Sequence, residues 1–324
     1  MSPRRRIPIV GLIAHAPVDV VADAEEALLA DYGLAKLQCT TIPYPRSEEL
    51  GRALGAGARF LPGGCGANMA AGLAALGSEV AVVAPFGADS HGSFARADLE
   101  SRGVEIRGFG YDGPHSLVYT LITGDRERTF ADYCHGVPYD LAAAAHGLDD
   151  QRIVAIDGYL LLRLGVADGI RGWLASGRPE GQDLVFCPGD VSVLTDAGPI
   201  VRDLLAEARH LVLNRHEAAK LFPGLSDEAI AAMLRERGVS GAITQGEAGA
   251  FLFDRTGSLH VGANKLDRPI VNTNGAGDAF TAGYLHGIEQ GLPLDEVARL
   301  ATACAARVLT IEGARPERAA EVVG

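Results

Sequence analysis

Lysine is nearly missing from this chain. Of 29 basic residues only Lys36, Lys220 and Lys265 are lysines, set against 41 acidic residues for a formal net charge of −12. The bias toward arginine and alanine reads as a compositional habit and carries no functional weight. A net acidic chain is a poor binder of nucleic acid or anionic membrane, although a local basic pocket for a phosphate stays compatible with it. Long apolar runs are absent, and nothing approaches the roughly 18 to 20 residues that a membrane span needs. Cysteine is scarce and odd in number: Cys39, Cys65, Cys134, Cys187 and Cys304. No two of them lie within twenty residues of each other, which argues against a disulfide framework or a zinc knuckle and for a reducing, cytoplasmic setting. Arg4-Arg5-Arg6 followed by Ile7 to Ala14 mimics a secretory leader. The apolar part is only about eight residues with Pro8 and Gly11 inside it, so a first buried strand explains it better. The Gly-Lys-Ser/Thr ending of a P-loop is missing, which excludes a Walker-type NTPase.

What is present is ordinary globular composition, 48% hydrophobic and 22% charged over 324 residues. At roughly 150 residues per domain this makes one large domain or two. Short apolar runs predict buried strands at Ile7–Ile13, Glu79–Ala84, Ile153–Asp157, Leu184–Cys187, His210–Leu213 and Ala242–Gln245. Helical spacing follows them at Ala67–Leu76, Ser90–Arg102, Arg163–Ala175, Asp196–Ala208, Asp227–Arg237, Gly277–Gln290 and Leu294–Leu309. This alternation predicts an α/β fold: a mostly parallel central sheet with helices on both faces, and ligands outside the carboxyl ends of its strands. Residues 37–61 and 105–133 break the rhythm. They alternate apolar and polar residues without long helices, and predict exposed antiparallel strands forming one small β-sheet lid over a cleft. The tail after Gly313 reads as a loop and a short helix.

Two Gly-rich segments carry the chemistry. In Asn274-Gly275-Ala276-Gly277-Asp278 small residues let backbone N–H groups approach an anion at the start of a helix, whose dipole favours negative charge. An aspartate in that first turn can take a proton from a substrate hydroxyl, and phosphoryl transfer asks for little beyond such a base, a cradle and a metal. Equally, Asp278 can simply cap its own helix. In Gly63-Gly64-Cys65-Gly66-Ala67-Asn68-Met69, Met69 stands where a dinucleotide fingerprint needs its third glycine, so a nicotinamide enzyme is disfavoured. A Gly-Gly backbone beside the Asn68 amide can hold a polyhydroxylated ligand or make a tight turn. Asp19 can cap a turn, Asn214 and Glu217 can open a helix as cap and first-turn acid, and Thr244 with Gly246 can form an ordinary strand-end turn. The nine histidines lack metal-ligand spacing. Trp173 reads as a helix packing residue, and Tyr111, Tyr119 and Phe130 as better candidates for stacking on a base.

Taken together, these segments resemble the ribokinase-like (PfkB) family of carbohydrate and nucleoside kinases, in family order from about Ile9 to Gly313. Val18-Asp19 sits where the family places a substrate-binding aspartate. Gly63-Gly64 with Asn68 is similar to the first signature, and Gly87-Ala88-Asp89-Ser90-His91-Gly92 to the Gly-x-Asp-x-x-Gly step. Asn214-Arg215-His216-Glu217 is similar to Asn-x-x-Glu, Thr244-Gln245-Gly246-Glu247-Ala248-Gly249 to Thr-x-Gly-x-x-Gly, and Asn274 through Asp278 to the second signature. The resemblance implies a single ribokinase-like domain over 1–324, with ATP and Mg²⁺ used to phosphorylate a hydroxymethyl group of a nucleoside or a sugar. It implies Asp278 as catalytic base and Gly275, Ala276 and Gly277 as anion hole. Asp19, Gly63, Gly64 and Asn68 would bind substrate, and Asn214, Thr244, Gly246 and Gly249 would bind ATP. Glu217 would serve the metal indirectly. Partners would be the small-molecule substrate and a second copy of the chain through the lid, with neither nucleic acid nor membrane. Leu34-Ala35-Lys36, Ile122-Thr123-Gly124-Asp125 with Arg128, and Thr273 through Phe280 resemble the adenosine-kinase-like branch; a free sugar or sugar derivative is the alternative acceptor. The intact Gly275-Ala276-Gly277-Asp278 argues against a catalytically silent binding protein. There are departures. Asn272 replaces an aspartate that in relatives helps bind a monovalent cation, leaving that cation in doubt. Cys187 replaces a strand-end aspartate, with Asp190 nearby but off register. Tyr133-Cys134-His135-Gly136-Val137 lacks the usual asparagine, and His15-Ala16-Pro17 replaces the usual lead into Asp19.

Overall fold

The computed structural model describes residues 9–134, 140–163 and 165–316. Its strands are, in chain order, β1 (Val10–Ile13), β2 (Val18–Asp23), β3 (Cys39–Thr41), β4 (Arg59–Pro62), β5 (Val80–Val83), β6 (Pro85–Gly87), β7 (Glu105–Ile106) and β8 (Phe109–Tyr111). There follow β9 (Leu117–Ile122), β10 (Arg128–Tyr133), β11 (Ile153–Asp157), β12 (Asp183–Cys187), β13 (His210–Asn214), β14 (Ser240–Thr244), β15 (Ala250–Asp254) and β16 (Gly257–Val261).

Nine strands form one sheet in the order β16-β15-β14-β13-β12-β11-β1-β5-β7. Seven of them run parallel and β15–β16 closes one edge as an antiparallel hairpin. The near-continuous apolar runs exist because both faces are covered. Val10, Val80, Ile153 and Val185 enter one core with helices Cys65–Ala75, Ala276–Glu289 and Leu294–Val308. Their chain neighbours Ala81, Val154 and Leu184 enter the other, with helices Val166–Ser176, Ile200–Glu207 and Asp227–Glu236. Successive strand residues point to opposite faces, so an apolar residue at every position serves both cores. Trp173 is fully buried in the second.

The predicted strands and helices recur within a few residues, apart from one difference. Asp196–Ala208 is split into Val191–Asp196 and Ile200–Glu207, because Gly198 takes φ 67 and Pro199 starts the second helix. As expected, the leader-like run carries a buried strand, β1, while residues 1–8 lie outside the described ones. Residues 317–324 of the proposed tail helix and 135–137 of the atypical Tyr133–Val137 stretch also lie outside them.

The second sheet has five strands in the order β3-β10-β9-β2-β4. It differs from the expected exposed antiparallel lid in four ways. It is mixed, since β2 pairs β9 and β3 pairs β10 in parallel. It takes in β2, outside the predicted stretches, while β7 joins the large sheet and β8 pairs with β6. The 37–61 stretch contains an eleven-residue helix, Tyr44–Leu54. Finally, Val18, Val20, Leu117, Tyr119 and Leu121 are buried in the core shared with the large sheet. Alternation signals one buried face but not whether the neighbouring strand runs parallel or antiparallel.

Helices Ala276–Glu289 and Leu294–Val308 cross closely at Gly283, where an added Cβ would lie 2.8 Å from Ala301 Cα and 2.9 Å from Cys304 Sγ. Gly283→Ala should therefore lower the thermal unfolding midpoint, although alanine ordinarily favours a helix by about 0.8–1.0 kcal/mol over glycine. Gly172→Ala, whose Cβ would meet Ala142 at an ordinary 3.5 Å, should leave it unchanged or raised. Differential scanning calorimetry of the two variants checks the contrast.

Candidate active site

The parallel strands bring their C-terminal residues to one edge. Asp157 ends β11, Cys187 ends β12, Asn214 ends β13 and Thr244 ends β14. Asn214 and Thr244 are direct register partners. The N-terminus of helix Ala276–Glu289 carries the second Gly segment. Gly275 is its N-cap at φ 79, in the left-handed region, and a side chain there would press on Ala314. No side chain caps this helix, so its first N–H groups lack the usual local acceptor.

Asp278 sits in the first helical turn and does not serve as the cap. Its Oδ2 accepts a hydrogen bond from Asn68 Nδ2 at 2.9 Å, across 210 residues of sequence. Burial pushes its carboxyl up to about 6, with Asp157 adding repulsion; the Asn68 amide, the Cys65 thiol and Arg315 pull the other way. Asp19 is likewise no cap, being a strand residue paired with Leu61 and Val118. Burial raises it to about 7; Arg315 opposes this, and Asp278 adds to it. Gly63 is glycine because a Cβ there would run into the Asp19 carboxylate, and Gly64, at φ 91, because one would strike the His15 carbonyl. Asp19, Gly63, Gly64, Asn68 and Asp278 thus come together in one cluster.

Sequence reasoning missed two members of this cluster. Asp157 is 2% exposed, and its carboxylate accepts from the backbone N–H groups of Gly66 at 3.1 Å, Tyr159 at 3.1 Å and His15 at 3.4 Å, tying together the start of helix Cys65–Ala75, the turn after β11 and the segment between β1 and β2. The available signal was a lone charge ending an otherwise apolar strand. Arg315, in the tail read as a loop, is 7% exposed and donates from Nε to Asn68 Oδ1 at 2.9 Å. No local pattern marks it.

On the other side Asn214 and Glu217 form a capping box. Asn214 Oδ1 accepts from the N–H of His216 and Glu217 at 2.9 Å, and Glu217 Oε2 accepts from Asn214 N–H at 2.8 Å. The cap uses only one carboxylate oxygen. Glu217 Oε1 is buried without a partner, and burial with Asp190 repulsion raises the group to about 7. An orphaned carboxylate oxygen is a hard donor that fits Mg²⁺. Among the described residues no cluster of three or more His, Cys, Asp or Glu could hold a metal ion. Thr244, Gly246 and Gly249 bound the tight turn from β14 to β15.

Asn272 donates from Nδ2 to the carbonyls of Ile311 at 2.8 Å and Gly313 at 3.2 Å, and its Oδ1 accepts from Asn274 N–H at 2.8 Å. The amide bridges by itself the carbonyls that face this position. Asp89 caps helix Ser90–Ser101 through Gly92 N–H at 2.8 Å and receives His115 N–H at 2.9 Å, so the Gly-x-Asp-x-x-Gly step builds a turn. Tyr119 does not fit the stacking role, since it is 1% exposed with its hydroxyl donating to the Ser47 carbonyl. Tyr111 donates its own hydroxyl to the Pro114 carbonyl. All five cysteines are free, and among the described residues no helix is long and apolar enough to cross a membrane.

Residues 32–319 match the model of the pfkB family carbohydrate kinases. The chain is 32% identical over 264 residues to the ATP-dependent ribose-1-phosphate kinase of Halopiger xanaduensis, covering 81% of this chain and 84% of that one. It is 26% identical to the ribokinase of Bacillus subtilis over 81% of this chain and 86% of that one. The crystal structure of adenosine kinase from Sinorhizobium meliloti superposes with a TM-score of 0.77 at 26% identity, over 95% of this chain and 96% of that one.

A carboxyl whose folded-state pKa is raised binds more protons folded than unfolded, so its contribution is favourable at low pH and lost as pH rises through the folded value. For Asp278 that window runs from its ordinary 3.8 to about 6. Asp278→Asn should therefore raise the unfolding midpoint by a few degrees at pH 8, and by less at pH 5. Thermal melts at the two pH values check the sign.

Proposed function

The chain belongs to the pfkB family of carbohydrate kinases, and from that premise we propose that it transfers the γ-phosphoryl group of ATP to the primary hydroxymethyl group of a ribofuranosyl compound. The observation that carries the reading is a raised carboxyl, Asp278, at a helix N-terminus with no side-chain cap, bonded to Asn68. Ribose 1-phosphate, ribose and adenosine, named for the three relatives, share the ribosyl ring and differ at its first carbon. A nucleoside remains the leading acceptor.

On this reading Asp19 and Asn68 hold ring hydroxyls, with the Gly63-Gly64 backbone letting the ring approach. The hydroxymethyl oxygen faces Asp278, which is ionised above about pH 6 and so accepts its proton near neutrality. The oxygen forms the new bond to phosphorus as the bond to the ADP oxygen breaks. Backbone N–H groups of Gly275, Ala276 and Gly277 face the charge on the moving phosphoryl group, aided by the helix dipole. Asn214 and the turn of Thr244, Gly246 and Gly249 line the ATP side. Glu217 would hold Mg²⁺ indirectly; when bound, that ion neutralises the β- and γ-phosphate oxygens. The second sheet closes over the acceptor as a lid.

The direct test is ADP release with adenosine, guanosine, inosine, their 2′-deoxy forms, ribose, ribose 1-phosphate and fructose. At least one ribosyl compound should outperform fructose, and Asp278→Asn should lower its kcat about 10²–10⁴-fold with ATP binding retained. A variant keeping a third of the wild-type kcat removes Asp278 from the base role, and fructose as best acceptor overturns the ribosyl reading.

Asp19→Ala should weaken acceptor binding roughly 10- to 150-fold, as for a lost charged hydrogen bond of about 1.5–3 kcal/mol, and leave ATP binding unchanged. Calorimetric titration with each ligand separates the two effects. Equal rates for ribo and deoxy nucleosides would remove Asp19 from hydroxyl recognition.

A further inference from the structure

Arg315 is placed as few arginines are. It is 7% exposed, in the irregular segment that follows helix Leu294–Val308. Its guanidinium has three partners on three elements: Asn68 Oδ1 at 2.9 Å, the Gly63 carbonyl at 2.6 Å and the Asp98 carboxylate. Arg102 also holds Asp98, at 3.1 and 3.2 Å.

The consequence lies in the chemistry of an amide. Asn68 can present either its oxygen or its NH₂ group to Asp278, and only the NH₂ group can donate to a carboxylate. Arginine has five donors and no acceptor, so Nε of Arg315 accepts only the oxygen end. The NH₂ end is thereby turned toward Asp278, where it lies at 2.9 Å. The same guanidinium holds the Gly63 carbonyl, beside the backbone on which the Asp19 carboxylate rests.

We propose that Arg315 is a positioning residue for phosphoryl transfer, locking Asn68 in the orientation that donates to Asp278 and balancing the two carboxylates of the acceptor pocket. This deepens the kinase reading and rests on it for the rate effect; the hydrogen-bond chain Asp98–Arg315–Asn68–Asp278 does not depend on it.

The groups that act on Asp278 come from several elements. Asn68 and Cys65 lie on helix Cys65–Ala75, and Asp157 ends β11. Asp19 of β2, Cys187 of β12 and Tyr159 after β11 interact with it from their own sides. Arg128 of β10 stops short, at Asn274 in the preceding loop. Of the main groups acting on Asp278 among the described residues, Arg315 alone is cationic. Its loss takes away both a charge and an oriented donor, and each favours the protonated carboxyl.

The test follows the titration of Asp278 by carboxyl carbon NMR in the unliganded enzyme, together with the pH profile of kcat/KM. In Arg315→Met the titration and the acid limb should both move up by about one pH unit or more, with roughly tenfold loss of kcat/KM at pH 6. Arg315→Lys keeps the charge without the fork and should recover part of the shift. Asp98→Asn keeps an oxygen for Arg315 while deleting its counter-charge, so it should move the titration down. A purely structural Arg315 would lower the unfolding midpoint and leave titration and acid limb where they are, which would overturn the proposal. Should Arg315→Met fail to fold, an unmoved or upward titration in Asp98→Asn overturns it instead. If no ribosyl compound is phosphorylated by the wild type, the kinase reading fails, while the NMR titrations still decide the role of Arg315.

Discussion

A carboxylate withdrawn from water without losing its ability to ionise is the constraint around which this molecule is arranged. Burial raises Asp278, and repulsion from Asp157 adds to the effect. Left alone, such a group would stay protonated. The Asn68 amide, the Cys65 thiol and the Arg315 guanidinium restrain the rise. These counterweights come from helix Cys65–Ala75, which follows β4, and from the segment after helix Leu294–Val308, so the balance exists only when distant segments have docked.

The parallel sheet supplies the stage. Its strands deliver Asp157, Cys187, Asn214 and Thr244 to one edge because parallel strands all end on the same side. Residues 309–316 then stitch that edge together. Val271 N–H donates to the Leu309 carbonyl, Asn272 holds Ile311 and Gly313, Gly275 leaves room for Ala314, and Arg315 reaches Asn68. One irregular segment thus braces the helix N-terminus and the Asn68 side together.

Structural and functional readings of a motif need not compete. Asn214 and Glu217 are a complete capping box, and the same Glu217 keeps one buried oxygen without a partner. The cap fixes the carboxylate in place, and the remaining oxygen is the one the proposed Mg²⁺ role would use. At Asp89 the structural reading accounts for both carboxylate oxygens, one on Gly92 and one on His115.

The sequence by itself determined the large sheet, most of its helices, and the Gly-rich and Asp-bearing segments. Each is a local pattern: apolar runs for strands buried on both faces, a 3.6-residue period for helices, small residues where backbone must approach closely. It also placed Asp19, Asn68 and Asp278 as candidates, although not beside one another. Only the tertiary structure decided the strand directions of the second sheet, the burial of Tyr119, the helix Tyr44–Leu54, and the roles of Asp157 and Arg315. Pairing direction and burial depend on which segments meet, and a buried arginine reads in sequence like an exposed one. Asn68 and Asp278 are 210 residues apart in the chain and 2.9 Å apart in space. A hydrogen bond is set by distance and angle, neither of which a linear pattern contains.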